Sequence, residues 1–345
     1  MSLALTTLAL LSASCPSPAS PHCGALMAGI LPNCSLVKML DNTFPEYVQP
    51  LPPSLCADNT GGPASGTPHI AQDKGSPWFG GTGNDSYLFY TSGHGKFIHQ
   101  VYIDKTSAAP VSGLKAQLPA QYSPIIGLQQ AAHSAPLLLL TTEALYAAPA
   151  GVAPNRAVTL LSPLANLSLG VDAVLTTRAA TAGDATLLYV LHGGSLHTIT
   201  VRHQDPASAS VVSIVTARLA SSDTPIMLEA LPSQDAASIS LVTLMQVSTP
   251  RPSASAAFRL ATFDPAAARP SYTPINVTLP FAARPSFSTL GIGGHLFVAA
   301  GGSLISIFLA PPMASGGAWT ADVSEPTPFV DGSTVRVLGG VQYFV

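Results

Sequence analysis

His295-Leu-Phe-Val-Ala-Ala-Gly-Gly-Ser-Leu-Ile-Ser-Ile-Phe308 is the stretch from which the rest of this chain can be read. Two apolar runs of strand length flank a Gly-Gly pair, the composition of a tight hairpin turn. The same design stands at four earlier places: Ser86 to Ile98, Pro136 to Tyr146, Thr186 to Ile199, and Ser238 to Met245 joined by a longer turn to Ala257 to Phe263. The turn centres fall near residues 94, 142, 193, 250 and 301, so the successive gaps are 48, 51, 57 and 51 residues. Short Gly-bearing apolar stretches precede several pairs: Trp78 to Gly81, Ile125 to Leu128, and Leu290 to Gly294. Alternating stretches follow them: Val111 to Pro119, Ala157 to Pro163, Ser210 to Val215, Thr273 to Pro280, and Trp319 to Val323. Each unit therefore reads as four strands, A to D, over about 50 residues.

One such sheet cannot bury both of its faces. Stacking it against its neighbours around a ring solves that, and a four-stranded unit at this period is the pattern of a β-propeller. Ser333 to Val345 repeats Ser288 to Val298 with an offset of 45 at the serine, so it reads as strands A and B of a sixth unit. An unfinished unit would leave an open edge. Glu46 to Pro52 resembles a D strand ending in proline and is the candidate to close it; further residues past Val345, or a different closure, are the alternatives. The expectation is an all-β chain, a β-propeller of six four-stranded blades, the last completed by N-terminal residues. The Gly-Gly turns and the period over roughly residues 75–345 resemble kelch repeats. The spaced Tyr and Trp of kelch blades are missing, as are the Trp-Asp dipeptide of WD repeats and the Asp-box of sialidases. The resemblance is to the propeller superfamily and to no family within it.

Leu3 to Ala13 is an apolar run, shorter than the roughly 20 residues a membrane helix needs. It reads as the apolar core of a secretory signal peptide over residues 1–14, with Ser12-Ala13-Ser14 as the small-residue cleavage site. No Lys or Arg precedes it, and a frayed apolar start is the alternative. Pro, Gly or polar residues interrupt the other long apolar runs, and no transmembrane span is expected. The four cysteines, Cys15, Cys23, Cys34 and Cys56, all lie in a Pro-rich segment, 15–74. An even count there predicts two disulfides, with three connectivities open. No Cys-x-x-Cys spacing supports a metal reading. Four glycosylation sequons begin at Asn33, Asn84, Asn166 and Asn276. Together these predict a secreted or cell-surface, disulfide-bonded glycoprotein with its propeller over residues 75–345.

Composition narrows the function. Charged residues are 9% of the 345 and the net charge is -3, against about 25% charged in ordinary soluble proteins. Nucleic-acid binding is not expected, because it needs a basic patch. There is no Gly-x-Ser-x-Gly elbow, no His-Glu-x-x-His, and no phosphate-binding glycine loop. No cofactor or metal is expected. Gly80-Gly81-Thr82-Gly83 is Gly-rich, but no helix follows it to hold a phosphate. His197 occupies the slot of Ile305 in the repeat and reads as a half-buried structural histidine, and His99 reads similarly.

The superfamily resemblance implies that B-to-C turns and D-to-A connections gather on one face around the channel. On that face would lie His94, Glu143, His192 and Arg251 from B-to-C turns, with Arg284 and Asp331 from D-to-A connections. Loops on a rigid scaffold concentrate binding residues. Turns are also wet, and polar residues sit in them without function. The reading is a non-catalytic binding module for a protein or glycan partner. Its alternative is a glycan-active hydrolase or lyase whose catalytic residues come from several blades. The seventeen acidic residues include only four glutamates, which weighs against the enzyme. A pair of channel carboxylates about 5 to 9.5 Å apart would favour it.

Overall fold

The computed structural model describes residues 23–30, 35–40, 43–50, 70–72, 85–92, 97–104, 112–121, 123–129, 136–148, 159–176, 180–182, 185–205, 208–219, 221–232, 239–248, 257–267, 269–280, 285, 287–290, 295–300, 303–312, 317–328 and 337–344. Among them there is no helix, and so none long and apolar enough to cross a membrane.

The strands are β1 (Cys23–Ile30), β2 (Ser35–Leu40), β3 (Thr43–Pro50), β4 (Ile70–Gln72), β5 (Asp85–Ser92), β6 (Phe97–Asp104) and β7 (Ser112–Gln117). They continue as β8 (Ile125–Gln129), β9 (Leu137–Thr141), β10 (Ala144–Ala148), β11 (Thr159–Leu160), β12 (Pro163–Asn166), β13 (Val174–Leu175), β14 (Ala180–Ala182), β15 (Ala185–His192), β16 (Ser195–Asp205) and β17 (Ser208–Arg218). The rest are β18 (Thr224–Pro232), β19 (Ile239–Gln246), β20 (Phe258–Phe263), β21 (Thr273–Ile275), β22 (Phe287–Leu290), β23 (His295–Ala300), β24 (Ser303–Ala310), β25 (Thr320–Val323), β26 (Thr327–Pro328) and β27 (Val337–Phe344). They form antiparallel sheets in the orders β4-β5-β6-β7, β8-β9-β10-β12, β13-β15-β16-β17, β18-β19-β20-β21 and β22-β23-β24-β25, with β27-β1-β2-β3 uniting strands from both ends of the sequence.

The five apolar pairs of the sequence are the hairpins β5/β6, β9/β10, β15/β16, β19/β20 and β23/β24. The registers Val190↔His197 and Val298↔Ile305 place His197 in the slot of Ile305. Successive side chains of a strand point to opposite faces, and here both faces are buried. In β9, Leu137 and Leu139 pack toward Ile98, Ala116 and Leu118 of the preceding sheet. Leu138 and Leu140 pack toward Leu188, Val190, Ile199 and Val201 of the next. Tyr189 and Leu191 turn the other way, onto Leu228, Ala230 and Leu241. Val242, Leu244 and Leu260 meet Leu296, Val298, Ile305 and Ile307. This two-sided burial explains the continuous run Leu137 to Leu140, which an alternating half-exposed strand would not carry. Each such leucine adds about 1.5–3 kcal/mol.

The all-β propeller expectation holds, with differences in detail. Side chains are described throughout the greater part of four successive sheets, from β8 to β25, and these stack as four blades, short of the six that the repeats predict. The sheets containing β1–β3 and β4–β7 are described almost wholly by their backbones. Of Ala157 to Pro163, the described part before Pro163 does not form the outer strand expected of it. Its β11 pairs in parallel with β7 of the preceding sheet, the Leu161 amide donates to the Gln117 carbonyl at 2.9 Å, and β12 takes the outer position. Leu161 is buried between the two sheets, so the chain is held there before it crosses over. The described residues of the final repeat, 337–344, form a single strand. Gly339 and Gly340 lie within β27, opposite Ala28 and Met27 of β1, so they make no turn. A Gly-Gly pair turns only when the chain folds back on itself, and here a partner strand keeps it extended. Of the stretch Leu290 to Gly294, Leu290 is the last residue of β22, and Gly291 to Gly294 lie outside the described residues.

Candidate functional site

The β15–β16 turn is His192-Gly193-Gly194-Ser195. Gly193 and Gly194 have φ of 56° and 70°, the two positive values a tight type I′ hairpin requires and a reason for glycine at both positions. The turn holds His192 at the strand end, 27% exposed. Its ring stacks on that of His197, with centroids 6.3 Å apart and planes 26° apart.

The connection from β12 to β13 runs past this turn and ties it to its neighbour. The Leu167 amide donates to the Glu143 carbonyl at 2.6 Å, and the Leu169 amide to the Thr142 carbonyl at 2.8 Å. One residue later, the Gly170 amide donates to Nε2 of His192 at 2.9 Å. Asp172 then brings Oδ1 to 3.6 Å from the same nitrogen. A bare backbone is needed at Gly170, because a Cβ there would meet Asp172 Oδ1 and come within 2.6 Å of His192 Nε2. Two of the expected residues, Glu143 and His192, are thus held by one crossing segment at the turn end of adjacent blades.

Glu143 is exposed. Its turn is rigid beneath it: the Glu143 amide donates to Ser123 Oγ at 3.2 Å, and Thr141 Oγ1 both accepts the Ala144 amide and donates to its carbonyl, each at 2.9 Å. Burial raises the pKa of Tyr146, and the charge of Glu143 raises it further. On His197 burial acts in the opposite direction, lowering its pKa because the charged form is the one desolvated. A charge on His192 adds to that lowering. Thr216 Oγ1 lies 3.1 Å from its Nδ1.

Sequence reasoning did not single out the next blade's counterpart. The connection from β17 to β18 carries Asp223, whose Oδ2 stands 3.3 Å from Arg259 Nη2 of β20 and whose Oδ1 accepts the Ser248 amide at 3.2 Å. The signal was a common position: Asp172 and Asp223 both lie just before the inner strand of their blade, where Ser123 lies in the blade before. Among the described residues no group of three or more His, Cys, Asp or Glu is placed to hold a metal ion.

His94, Arg251, Arg284 and Asp331 lie outside the described residues, as do Cys15, Cys34, Cys56, Asn33 and Asn84. Cys23 opens β1, described there by its backbone. Asn166, at the end of β12, and Asn276, just after β21, are both exposed.

No family model matches the chain, and no curated protein matches it in sequence. Solved structures do. A Bacteroides uniformis protein assigned as a 6-phosphogluconolactonase is similar at 12% identity, with a TM-score of 0.44, over 93% of this chain and all of that one. The YCF48 protein of Cyanidioschyzon merolae is similar at 10% identity and a TM-score of 0.39, over 76% of this chain and 86% of that one. The N-terminal domain of Nup159 is similar at 11% identity and a TM-score of 0.40, over 90% of this chain and 75% of that one.

Proposed function

We propose that this chain is a non-catalytic propeller that binds a protein or glycan partner on its turn end, at the surface built around Glu143 and His192. One observation carries this reading. The segment from Leu167 to Gly170 hydrogen-bonds to both turns, so residues distant in sequence share a pre-organised surface, and pre-organisation lowers the ordering cost of binding. We further propose a ring of six blades. Its support is that the inner strands adjoin in cyclic order, β4 to β8, β13, β18, β22 and β27, with β27 again beside β4. Residues 15–74 would then belong to the ring through β1–β3, closing the sheet of β27.

An extracellular setting is part of the same proposal. It rests on the apolar run Leu3 to Ala13, a leader over residues 1–14 in this reading, and on the exposure of Asn166 and Asn276, the two described sequon asparagines. Disulfides among the four cysteines would follow from that compartment.

The test uses immobilised full-length protein against a glycan array and an extracellular fraction, beside a Glu143→Ala, His192→Ala double variant of unchanged Tm. A ligand retained by the parent and lost by the variant supports the reading. Equal retention by both, or consumption of an array glycan by the free protein, overturns it.

A further inference from the structure

The Gly170–Ala173 turn is a structural element whose anchor changes with protonation. The Ala173 amide closes it by donating to the Gly170 carbonyl at 3.1 Å. Val171 at its tip is 80% exposed, an aliphatic side chain held out to solvent. The turn is fastened to the blade by the Gly170 amide on His192 Nε2. An amide N–H can donate only to an imidazole nitrogen that carries no proton. In this geometry the protonated nitrogen of neutral His192 is therefore Nδ1, and Nε2 is the acceptor.

We infer that His192 is a protonation switch for this turn. When His192 takes up a proton, Nε2 becomes a donor. It can no longer accept from Gly170, and the group best placed to receive it is Asp172 Oδ1, 3.6 Å away on the same turn. Gly170 loses its anchor while Asp172 gains one, so the turn pivots and Val171 moves with it. Among the described residues, the ionisable groups around His192 are few. Asp172 faces it from the connection, and the His197 ring lies against it from β16. Glu143 belongs to the adjoining β9–β10 turn, joined through Leu167. Arg218 on β17 pairs across from Ser195, itself the register partner of His192. His197 stays neutral when His192 is charged, because the two rings stack and the second charge would be both desolvated and repelled.

This inference deepens the binding reading by giving its surface a pH dependence, yet its test does not involve a partner. Hydrogen exchange of the Gly170 amide is followed in the free full-length protein at pH 7.5 and 5.5, corrected for the intrinsic pH dependence of exchange. The parent is expected to lose about tenfold in protection at pH 5.5, the weight of one hydrogen bond. His192→Gln keeps an acceptor for Gly170 and cannot protonate, so its protection should change less than twofold. Asp172→Asn should retain the loss, because it removes the new partner and not the proton. Equal protection of the parent at both pH values overturns the switch, as does an equal loss in His192→Gln. A partner that binds identically at both pH values, with the exchange result intact, would count against the binding site alone.

Discussion

Two neighbouring blades solve the same local problem with different chemistry. In both, the connection entering the blade brings an aspartate against a nitrogen-bearing side chain of the hairpin. The Asp223 side chain is 8% exposed and holds Arg259 together with the Ser248 amide. The Asp172 side chain is 72% exposed and only approaches His192. Arg keeps its charge across the pH range of proteins, whereas His does not. The buried carboxylate, holding a permanent but half-exposed cation, is a fixed clamp. The exposed pair, with a titratable partner already engaged by a backbone amide, is held loosely enough to change. The repeat thus keeps a position while burial and side-chain choice decide whether that position is structural or adjustable.

The largest expected effect breaks the comparison directly. Asp223→Ala should cost about 1.5 kcal/mol in urea unfolding, because it removes the buried acceptor of the Ser248 amide and of the half-exposed Arg259. Asp172→Ala should cost less than about 0.5 kcal/mol, as exposed pairs do. Equal costs would show that burial does not distinguish the two blades. Gly170→Ala comes next. Its Cβ would stand 2.6 Å from His192 Nε2, so the ring must move, and a loss of roughly 1 kcal/mol is expected from crowding and a weakened hydrogen bond. Asp172 lies at the surface and can swing aside, which limits the cost. A variant as stable as the parent, with the amide at position 170 still protected at pH 7.5, would show that the close approach is not needed.

The smallest effect concerns His197. Its folded pKa is lowered from 6.5, first by burial and then by His192, so the unfolded chain takes up the proton first. The associated stability is full above that unfolded value and is lost as pH falls below it toward the folded one. For a half-buried ring the loss should stay under about 1 kcal/mol after solvent screening. Denaturation at pH 7.5 and 5.0 measures it, and His197→Gln should flatten that part of the slope. A parent that gains stability on acidification would reverse the assignment.

Hairpin pairing was legible because it is local. Apolar runs on both sides of Gly193-Gly194 specify their own register through the turn, and the repeat made His197 equivalent to Ile305 before any coordinates. Pro136 to Tyr146 was legible as a strand pair, and its run Leu137 to Leu140 is buried on both faces in the stacked sheets. The same reasoning divided Ser333 to Val345 into strands A and B, whereas Val337 to Phe344 run as one strand through Gly339-Gly340, since a partner strand decides whether a glycine pair turns. It placed Glu143 and His192 at the turn end, but it did not single out Asp172, Asp223 or Arg259. Their pairing spans different strands, and no spacing encodes it. The sequence by itself determined an all-β chain of repeated hairpins, because period-two side-chain alternation and turn chemistry act over a few residues. The tertiary structure alone decided which blade edge meets which connection, and so whether an aspartate is a buried clamp or an exposed switch partner. Burial and cross-blade hydrogen bonds exist only once the sheets have stacked.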